Sequence, residues 1–250
     1  MASVQVVILA AGKGKRMGTE TPKPLLPIGG KPIIQHLVES VHASQIDGDP
    51  ILVVSEDSHG ICETFGQSCR YVIQKERLGT GHAVMITQEA VGGAETLVVL
   101  YGDHPFISAS TLQKLVELHR ASSGVMSIMT TKVASFEGWL KTFEHWGRIL
   151  RDAHNCLIGI RQFKDAMESE RSNLEVDPAL YCFNTDWLWE HISQLKNFNA
   201  QGEYYLTDLV ELAVSQGHTI ATLTIPPEEA IGINTPEELT FAQELYRKRL

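Results

Sequence analysis

A glycine-rich loop near the N-terminus carries residues that could bind a polyphosphate. Residues 10–31 contain five glycines and three prolines, and Glu20 is their only acid. The cations of this segment are Lys13, Lys15, Arg16, Lys23 and Lys31. The backbone N–H groups of such a loop can approach an anion closely, and the cations can neutralise phosphate oxygens. Composition alone is equally compatible with a solvated surface loop.

Two common glycine motifs do not fit this loop. The Walker pattern fails because Pro32 follows Gly30-Lys31 and no glycine lies five positions before Gly30. The dinucleotide pattern G-x-G-x-x-G fails because Met17 stands where the third glycine belongs. The loop therefore does not indicate a P-loop NTPase or an NAD-binding domain.

The elements around the loop predict an α/β fold. The apolar, β-branched run Val4–Leu9 is typical of a strand covered on both faces, and Pro32 begins a helical pattern. Further strands are predicted at 51–54, 71–73 and 97–101, and helices at 81–91 and 109–121. This alternation predicts a doubly wound, mostly parallel sheet, with ligands beyond the carboxyl ends of its strands. The loops that start at Ala10, Gln74 and Gly102 are therefore expected to meet in one crevice.

The pattern changes after residue 125. After the run at 125–132, antiparallel strands at 139–152 and 156–162 predict a small subdomain over the crevice. The remaining predictions are strands at 181–184 and 219–225 and helices at 186–195 and 205–215. Thr235–Glu238, with the sequence TPEE, predicts a capping box that opens a last helix through Arg249.

Composition and charge exclude several classes of function. The chain has 250 residues, is 43% hydrophobic and 20% charged, and has no apolar run of the roughly 20 residues that span a membrane. We therefore expect a cytoplasmic protein without a membrane partner. The net charge of −9, with +4 in residues 1–31 and −13 in the rest, disfavours nucleic acid as a partner. Four cysteines without C-x-x-C spacing are predicted to be buried thiols, and the four tryptophans to be packing residues.

Several spaced motifs carry a family resemblance. Residues 9–17, LAAGKGKRM, followed by Pro22-Lys23, resemble the signature L-x-x-G-x-G-x-R-[ML] … P-K of the sugar-phosphate nucleotidyltransferases. Further matches follow in order: Gln74 with GTGHA at 79–83, YGD at 101–103, WGRI at 146–149, GEYYLTD at 202–208 and GIN at 232–234. The resemblance covers essentially the whole chain. It is strongest to the uridylyltransferase domain of the bacterial N-acetylglucosamine-1-phosphate uridylyltransferases.

The resemblance implies a fold and a reaction. The fold would be the Rossmann-like nucleotidyltransferase fold in a single domain, residues 1–250. Residues 1–124 would be mainly the nucleotide-binding half, and 125–250 mainly the sugar-binding half with the C-terminal helix. No hexapeptide repeats of a β-helix acetyltransferase domain are present. In the implied reaction, an oxygen of a sugar-1-phosphate attacks the α-phosphorus of UTP or another nucleoside triphosphate, and pyrophosphate leaves. N-acetylglucosamine-1-phosphate or a related hexose-1-phosphate would be the acceptor.

The resemblance also assigns roles to residues. Arg16, Lys23 and Asp103 would be catalytic, and Asp103 and Asn234 would bind Mg²⁺, which prefers such oxygen ligands. Without the resemblance, Asn234 is simply a polar residue ahead of a helix cap. The residues implied to bind substrate are Leu9, Ala10, Ala11, Gly12, Gly14, Gln74, Gly79, Thr80, Tyr101, Gly102, Gly147, Gln162 and Asp177. The Gln74 amide can both donate to and accept from the edge of a pyrimidine.

Two positions of the expected sugar pocket depart from the family pattern. Gln162 stands where the N-acetylglucosamine enzymes carry Glu, and Asp177-Pro178-Ala179 replaces their Asn-Thr-Gly. An amide in place of a carboxylate removes a strong acceptor, and Asp177 adds negative charge near a phosphorylated substrate. Two alternatives therefore stay open: the same chemistry with another acceptor or base, or a non-catalytic module that binds nucleotide sugar. The sequence does not indicate an oligomeric state.

Overall fold

A computed structural model describes residues 3–12, 14–19 and 21–249, with the side chain of Lys15 excepted. The cation Lys13 of the predicted phosphate loop lies outside these residues. In chain order the strands are β1 (Val4–Leu9), β2 (Pro27–Ile28), β3 (Lys31–Pro32), β4 (Ile51–Val54), β5 (Arg70–Ile73), β6 (Thr96–Tyr101), β7 (Met126–Lys132), β8 (Gly147–Arg151), β9 (Leu157–Arg161), β10 (Glu175–Asp177), β11 (Tyr181–Asn184) and β12 (Ala221–Ile225). The helices are α1 (Ile33–Ser44), α2 (His59–Phe65), α3 (Thr80–Met85), α4 (Gln88–Val91), α5 (Ala109–Ala121), α6 (Glu168–Arg171), α7 (Thr185–His191), α8 (Asp208–Ser215), α9 (Pro227–Ala230) and α10 (Pro236–Arg249).

One mixed sheet organises the chain. Its strands follow the order β5-β4-β1-β6-β11-β7-β10-β8-β9, with β12 paired to β7. The pairs among β5, β4, β1 and β6 are parallel, as the early alternation of strands and helices predicts. Beyond β6 the strands β11, β10, β8 and β9 pair antiparallel and continue the same sheet. The predicted α/β fold class is confirmed.

Both faces of the sheet are covered by apolar layers. Val6 and Ile8 of β1 belong to a cluster that contains α1, α2 and α5, whereas Val7 belongs to one that contains α3, α7 and α8. Alternate residues of one strand therefore enter different layers, which explains why its sequence is a continuous apolar run.

Two predicted elements differ in the structure. The helix predicted at 81–91 is broken into α3 and α4, and at the break both the N–H and the hydroxyl of Thr87 donate to the Val84 carbonyl, at 2.9 and 2.7 Å. The strand predicted from residue 139 begins only at Gly147, and Gly138–Phe143 form a 3₁₀-helix. Trp139 and Phe143 lie four residues apart, so that a helical segment directs both toward the core.

The capping box and the cysteines have different outcomes. Thr235 Oγ1 accepts from the Glu238 N–H at 3.3 Å, and the Glu238 carboxylate accepts from the Thr235 N–H at 3.0 Å, so the predicted box is confirmed. Cys69 and Cys182 are buried, but Cys62 is only half-buried and Cys156 is exposed, because it lies in the turn between β8 and β9. The prediction of four buried thiols is therefore wrong for these two. None of the helices in the described ranges combines the length and apolarity needed to span a bilayer.

Candidate active site

The main cavity lies at the carboxyl ends of β1, β5 and β6 and has a volume of about 510 Å³. The loops that begin at Ala10, Gln74 and Gly102 all contribute to its lining. The sequence-predicted residues that line it are Leu9, Ala10, Ala11, Gly12, Arg16, Lys23, Gln74, Gly79, Thr80, Tyr101, Gly102, Asp103 and Asn234. The structure therefore brings together residues from distant parts of the chain.

A side cavity of about 260 Å³ adjoins the main one. Three further predicted residues line it, namely Gly147, Gln162 and Asp177. The two cavities share five lining residues: Thr80, Tyr101, Asp103, Glu203 and Asn234. Molecules bound in the two cavities would therefore meet beside Asp103 and Asn234.

Gly14 is the one described residue of the predicted set that lines neither cavity. Its φ is +56°, and a Cβ built on it would lie 2.8 Å from the Cβ of Lys23. Glycine is therefore required both for the left-handed backbone and for the close approach of Lys23. Gly14 therefore contributes to the site indirectly, by leaving room for the Lys23 side chain.

The centre of the site is a contact of Lys23 with both predicted metal ligands. Its Nζ donates to Asp103 Oδ2 at 2.7 Å and to Asn234 Oδ1 at 3.0 Å. The side chains of Lys23 and Asp103 are only 13% and 15% exposed. Burial by itself raises the pKa of Asp103, but the charge and hydrogen bond of Lys23 outweigh it, so that the pKa is below its usual value. Asp103 is therefore ionised at neutral pH.

The side-chain oxygens of Asp103 and Asn234 are suitable ligands for a magnesium ion. One carboxylate and one amide oxygen are hard ligands, and Mg²⁺ commonly takes one or two protein oxygens with substrate phosphates. Both oxygens lie within 3.0 Å of the same ammonium group, so that they already face one cation. Among the described residues, no cluster of three or more His, Cys, Asp or Glu suited to a metal occurs.

The neighbouring His104 is neutral. It is buried, and burial lowers the pKa of its imidazole, although Asp103 opposes this effect. Its Nδ1 lies 2.8 Å from the Ala230 carbonyl, and its ring packs edge-on against Trp146 at 5.6 Å. His104 thus supports the wall of the side cavity.

The loop after β5 holds Gln74 in a fixed orientation. Gln74 is buried, and its Nε2 donates to the Gly79 carbonyl at 3.3 Å and lies 3.1 Å from His82 Nδ1. Gly79 has φ +111°, and a Cβ there would lie 2.6 Å from the Tyr204 carbonyl oxygen. The loop is therefore packed against the segment that contains Tyr204, and only glycine fits at position 79.

Asp177 is part of the wall of the side cavity. Its Oδ2 accepts from the Tyr181 hydroxyl at 2.5 Å and its Oδ1 from the Ala179 N–H at 2.8 Å. Burial raises its pKa to about 6, although both hydrogen bonds oppose this shift. Because both oxygens already accept hydrogen bonds, Asp177 is less available to a ligand than its sequence position suggests. Gln162 Nε2 donates to Thr207 Oγ1 at 3.3 Å.

Sequence reasoning missed several lining residues. Arg77 lines the main cavity and donates from Nε to the Ala11 carbonyl at 2.7 Å, which joins two of the loops. Glu203 lines both cavities, and its place in the quoted GEYYLTD motif was the available signal. Trp146 has the predicted packing role, since it contacts Phe143, but it also lines the side cavity. Position 77 gives no comparable signal, because its partner lies 66 residues away.

Known proteins provide the comparison for this geometry. A model of the MobA-like NTP transferase domain matches residues 6–199. The chain belongs to this family. A "Bifunctional protein GlmU" of Desulfotalea psychrophila is 35% identical over 247 residues, which are 98% of this chain and 70% of that protein. Its counterpart in Geobacillus sp. is 39% identical over 255 residues, and the match covers all of this chain but 53% of the relative.

Two solved structures share the fold of this chain. A UDP-glucose pyrophosphorylase complexed with UDP-glucose superimposes with a TM-score of 0.77 at 20% identity, and all of both chains is covered. A CMP:2-keto-3-deoxy-manno-octonic acid synthetase complexed with CTP gives a TM-score of 0.70 at 18% identity, over 99% of this chain and 100% of the other. These likenesses show that the fold of this chain is shared along the whole of its length.

Proposed function

We propose that the protein transfers UMP from UTP to a sugar-1-phosphate, with N-acetylglucosamine-1-phosphate or a related hexose-1-phosphate as acceptor, and releases pyrophosphate. One observation carries the proposal: Arg16, Lys23, Asp103 and Asn234 surround one cavity that adjoins a second, polar cavity. Membership of the NTP transferase family and the GlmU relatives support it. The two cavities would hold the nucleotide and the acceptor.

The chemical task is to join two polyanions. Lys23 and Arg16 would neutralise the triphosphate and the pyrophosphate leaving group, and no covalent intermediate is needed. Lys23 is well placed because it lies between Asp103 and Asn234, where both cavities meet. Magnesium held by Asp103 and Asn234 would add positive charge to the phosphate oxygens.

Base selection would come from Gln74. The Gly79 carbonyl and His82 engage its Nε2, which leaves Oε1 to accept the N3–H of uracil. The same oxygen offers no such bond to cytosine, whose N3 carries no hydrogen. Glycine at position 79 lets this loop pack against the Tyr204 segment, and this packing holds the carbonyl that fixes Gln74.

The acceptor site would be lined by amides and hydroxyls, with the carboxylates of Asp103 and Glu203 at its border with the main cavity. Gln162 is held by Thr207, and Gln201 Nε2 donates to the Tyr205 hydroxyl at 2.9 Å. The Asp177 carboxylate is engaged by the wall itself. Sugar hydroxyls would therefore meet amides and hydroxyls, and the Glu203 carboxylate could accept a hydrogen bond from one of them.

The test is pyrophosphate release by purified protein with Mg²⁺. UTP, dTTP, CTP, ATP and GTP are each paired with a panel of sugar-1-phosphates, and chelation of the metal serves as the blank. We expect the highest rate with UTP, and loss of turnover in Asp103→Asn but not in the exposed control Asp186→Asn. Release of no pyrophosphate from any pair would refute transfer. UDP-sugar binding in calorimetry without turnover would favour the non-catalytic module.

A further inference from the structure

Glu238 on the first turn of α10 contacts the backbone of the proposed metal ligand Asn234. Its Oε2 accepts from the Asn234 N–H at 2.6 Å and from the Thr235 N–H at 3.0 Å. Its Oε1 accepts from the Thr142 hydroxyl at 2.7 Å. The carboxylate thus does more than complete a capping box, because it also holds the residue before the cap.

The segment before α10 is held on its other side by Asp103. The N–H of Ile233, which is buried, donates to the Asp103 carbonyl at 3.0 Å. Successive N–H groups at 233 and 234 are therefore bound by the backbone of one proposed metal ligand and by Glu238. These two bonds fix where the Asn234 side chain starts, and its Oδ1 reaches the ammonium of Lys23.

Thr142 fixes Glu238 in turn. It belongs to the 3₁₀-helix Gly138–Phe143, which packs on α10 through the stacked rings of Trp139 and Phe241, 5.1 Å apart. The carboxylate is therefore held at both oxygens by separate elements. Because the carboxylate cannot move freely, the backbone N–H groups that it binds are also fixed in place.

We infer that Glu238 is a positioning residue for Asn234: it holds the amide oxygen where it binds the divalent cation with Asp103. This inference rests on the proposed function. In this role the length of the Glu238 side chain matters most, because it sets where the carboxylate oxygens lie. The negative charge of the carboxylate is secondary.

Length and charge can be separated by substitution. Glu238→Asp keeps the charge but shortens the side chain by one methylene, whereas Glu238→Gln keeps the length and an acceptor oxygen but loses the charge. Thr235→Ala is the matched structural control, because it removes the hydroxyl cap of the same helix and leaves the N–H groups that Glu238 binds. Glu237→Gln controls for the loss of an exposed charge on the same turn.

Two measurements are made on each full-length variant. Binding of Mn²⁺ is followed by electron paramagnetic resonance in the presence of α,β-methylene-UTP, and the Mg²⁺ concentration for half-maximal pyrophosphate release is determined. We expect Glu238→Asp to weaken both by about 10–100-fold, the usual effect of losing a group that orients a metal ligand, and Glu238→Gln to have a smaller effect. Thr235→Ala should lower thermal stability without moving either value.

Three outcomes would overturn the inference and leave the proposed function intact. The first is Mn²⁺ binding by Glu238→Asp equal to that of the wild type, and the second is an equal loss in Thr235→Ala, which would reduce the effect to helix capping. The third is a larger loss in Glu238→Gln than in Glu238→Asp, which would assign the effect to charge. Wild-type protein that binds no Mn²⁺ with the nucleotide analogue would refute the proposed metal site, and this inference with it.

Discussion

Replacing Lys23 by methionine should destabilise the ligand-free protein strongly. The Lys23 ammonium lies 2.7 Å from the Asp103 carboxylate, and both side chains are at least 85% buried. Removing one partner of a buried ion pair leaves a charge without compensation, which typically costs about 3–5 kcal/mol. For a chain of this size, such a loss lowers the melting temperature by roughly 6–20 °C.

The pH dependence of this loss has a definite sign. In the wild type, Lys23 holds the pKa of Asp103 below its usual value, so the pair stabilises the fold above the ordinary carboxyl range and the contribution is lost as pH falls through the folded-state pKa. In Lys23→Met, burial raises the pKa of Asp103 without the opposing charge and hydrogen bond of Lys23. The ionised carboxylate then costs stability at neutral pH, and acidification relieves the cost. The difference between the two proteins should therefore be largest at pH 7–8 and shrink toward pH 5.

Thermal and urea unfolding between pH 5 and 8 would measure this difference. Lys31→Met is the matched control, because the Lys31–Glu39 pair has the same 2.7 Å distance, but its side chains are 45% and 46% exposed. Exposed pairs contribute little, so that this control should melt close to the wild type. Mg²⁺ should stabilise Lys23→Met more than the wild type, since the ion would replace the missing ammonium.

The reasoning is refuted if Lys23→Met melts no lower than Lys31→Met at pH 7.5. It is also refuted if the destabilisation is independent of pH, because the loss would then come from packing and not from the charge of Asp103.

Two further predictions concern the walls of the site. Burial raises the pKa of Asp177 to about 6, so its ionised form costs up to about 3 kcal/mol at higher pH, and this cost is relieved as pH falls through 6. Other groups oppose this trend, among them the buried His104, whose pKa burial lowers, so the wild type is compared with Asp177→Asn. From pH 8 to pH 5 the stability of the wild type should rise relative to that of the variant, and parallel profiles in calorimetry would contradict the assignment. Gly14→Ala and Gly18→Ala both strain a left-handed backbone, with φ +56° and +63°, but only the first adds a Cβ 2.8 Å from that of Lys23. Pyrophosphate release should fall in Gly14→Ala and persist in Gly18→Ala, and equal rates would show that Lys23 tolerates the added methyl group.

Local signals in the sequence predicted much of the fold. β1 was recognisable because both of its faces are buried, and Thr235–Glu238 because the two bonds of a capping box join residues three apart. The helix break at Thr87 was not recognisable, since threonine is compatible with a helix interior and no local residue marks the change to an i−3 backbone bond there. The 3₁₀-helix at 138–143 was mistaken for a strand because its aromatic residues suit either structure.

The sequence identified those site residues that belong to a motif. It did not predict the hydrogen bonds that these residues form with distant parts of the chain. Spaced motifs predicted that Lys23, Asp103 and Asn234 act together, yet no local pattern indicates that Lys23 bonds both of the others. The sequence also suggested a free charge at Asp177. The structure shows its oxygens bound by Tyr181 and Ala179, an arrangement that depends on how the chain turns between β10 and β11.

The position of β11 limits how this enzyme fold can move. The strand pairs antiparallel with β6 on one side and with β7 on the other. Each apolar layer contains residues from before and from after residue 125. A hinge opening along the middle of the sheet would have to break both ladders and split both layers. Closure around a ligand is therefore left to the surface loops at the strand ends, while the sheet remains a rigid floor.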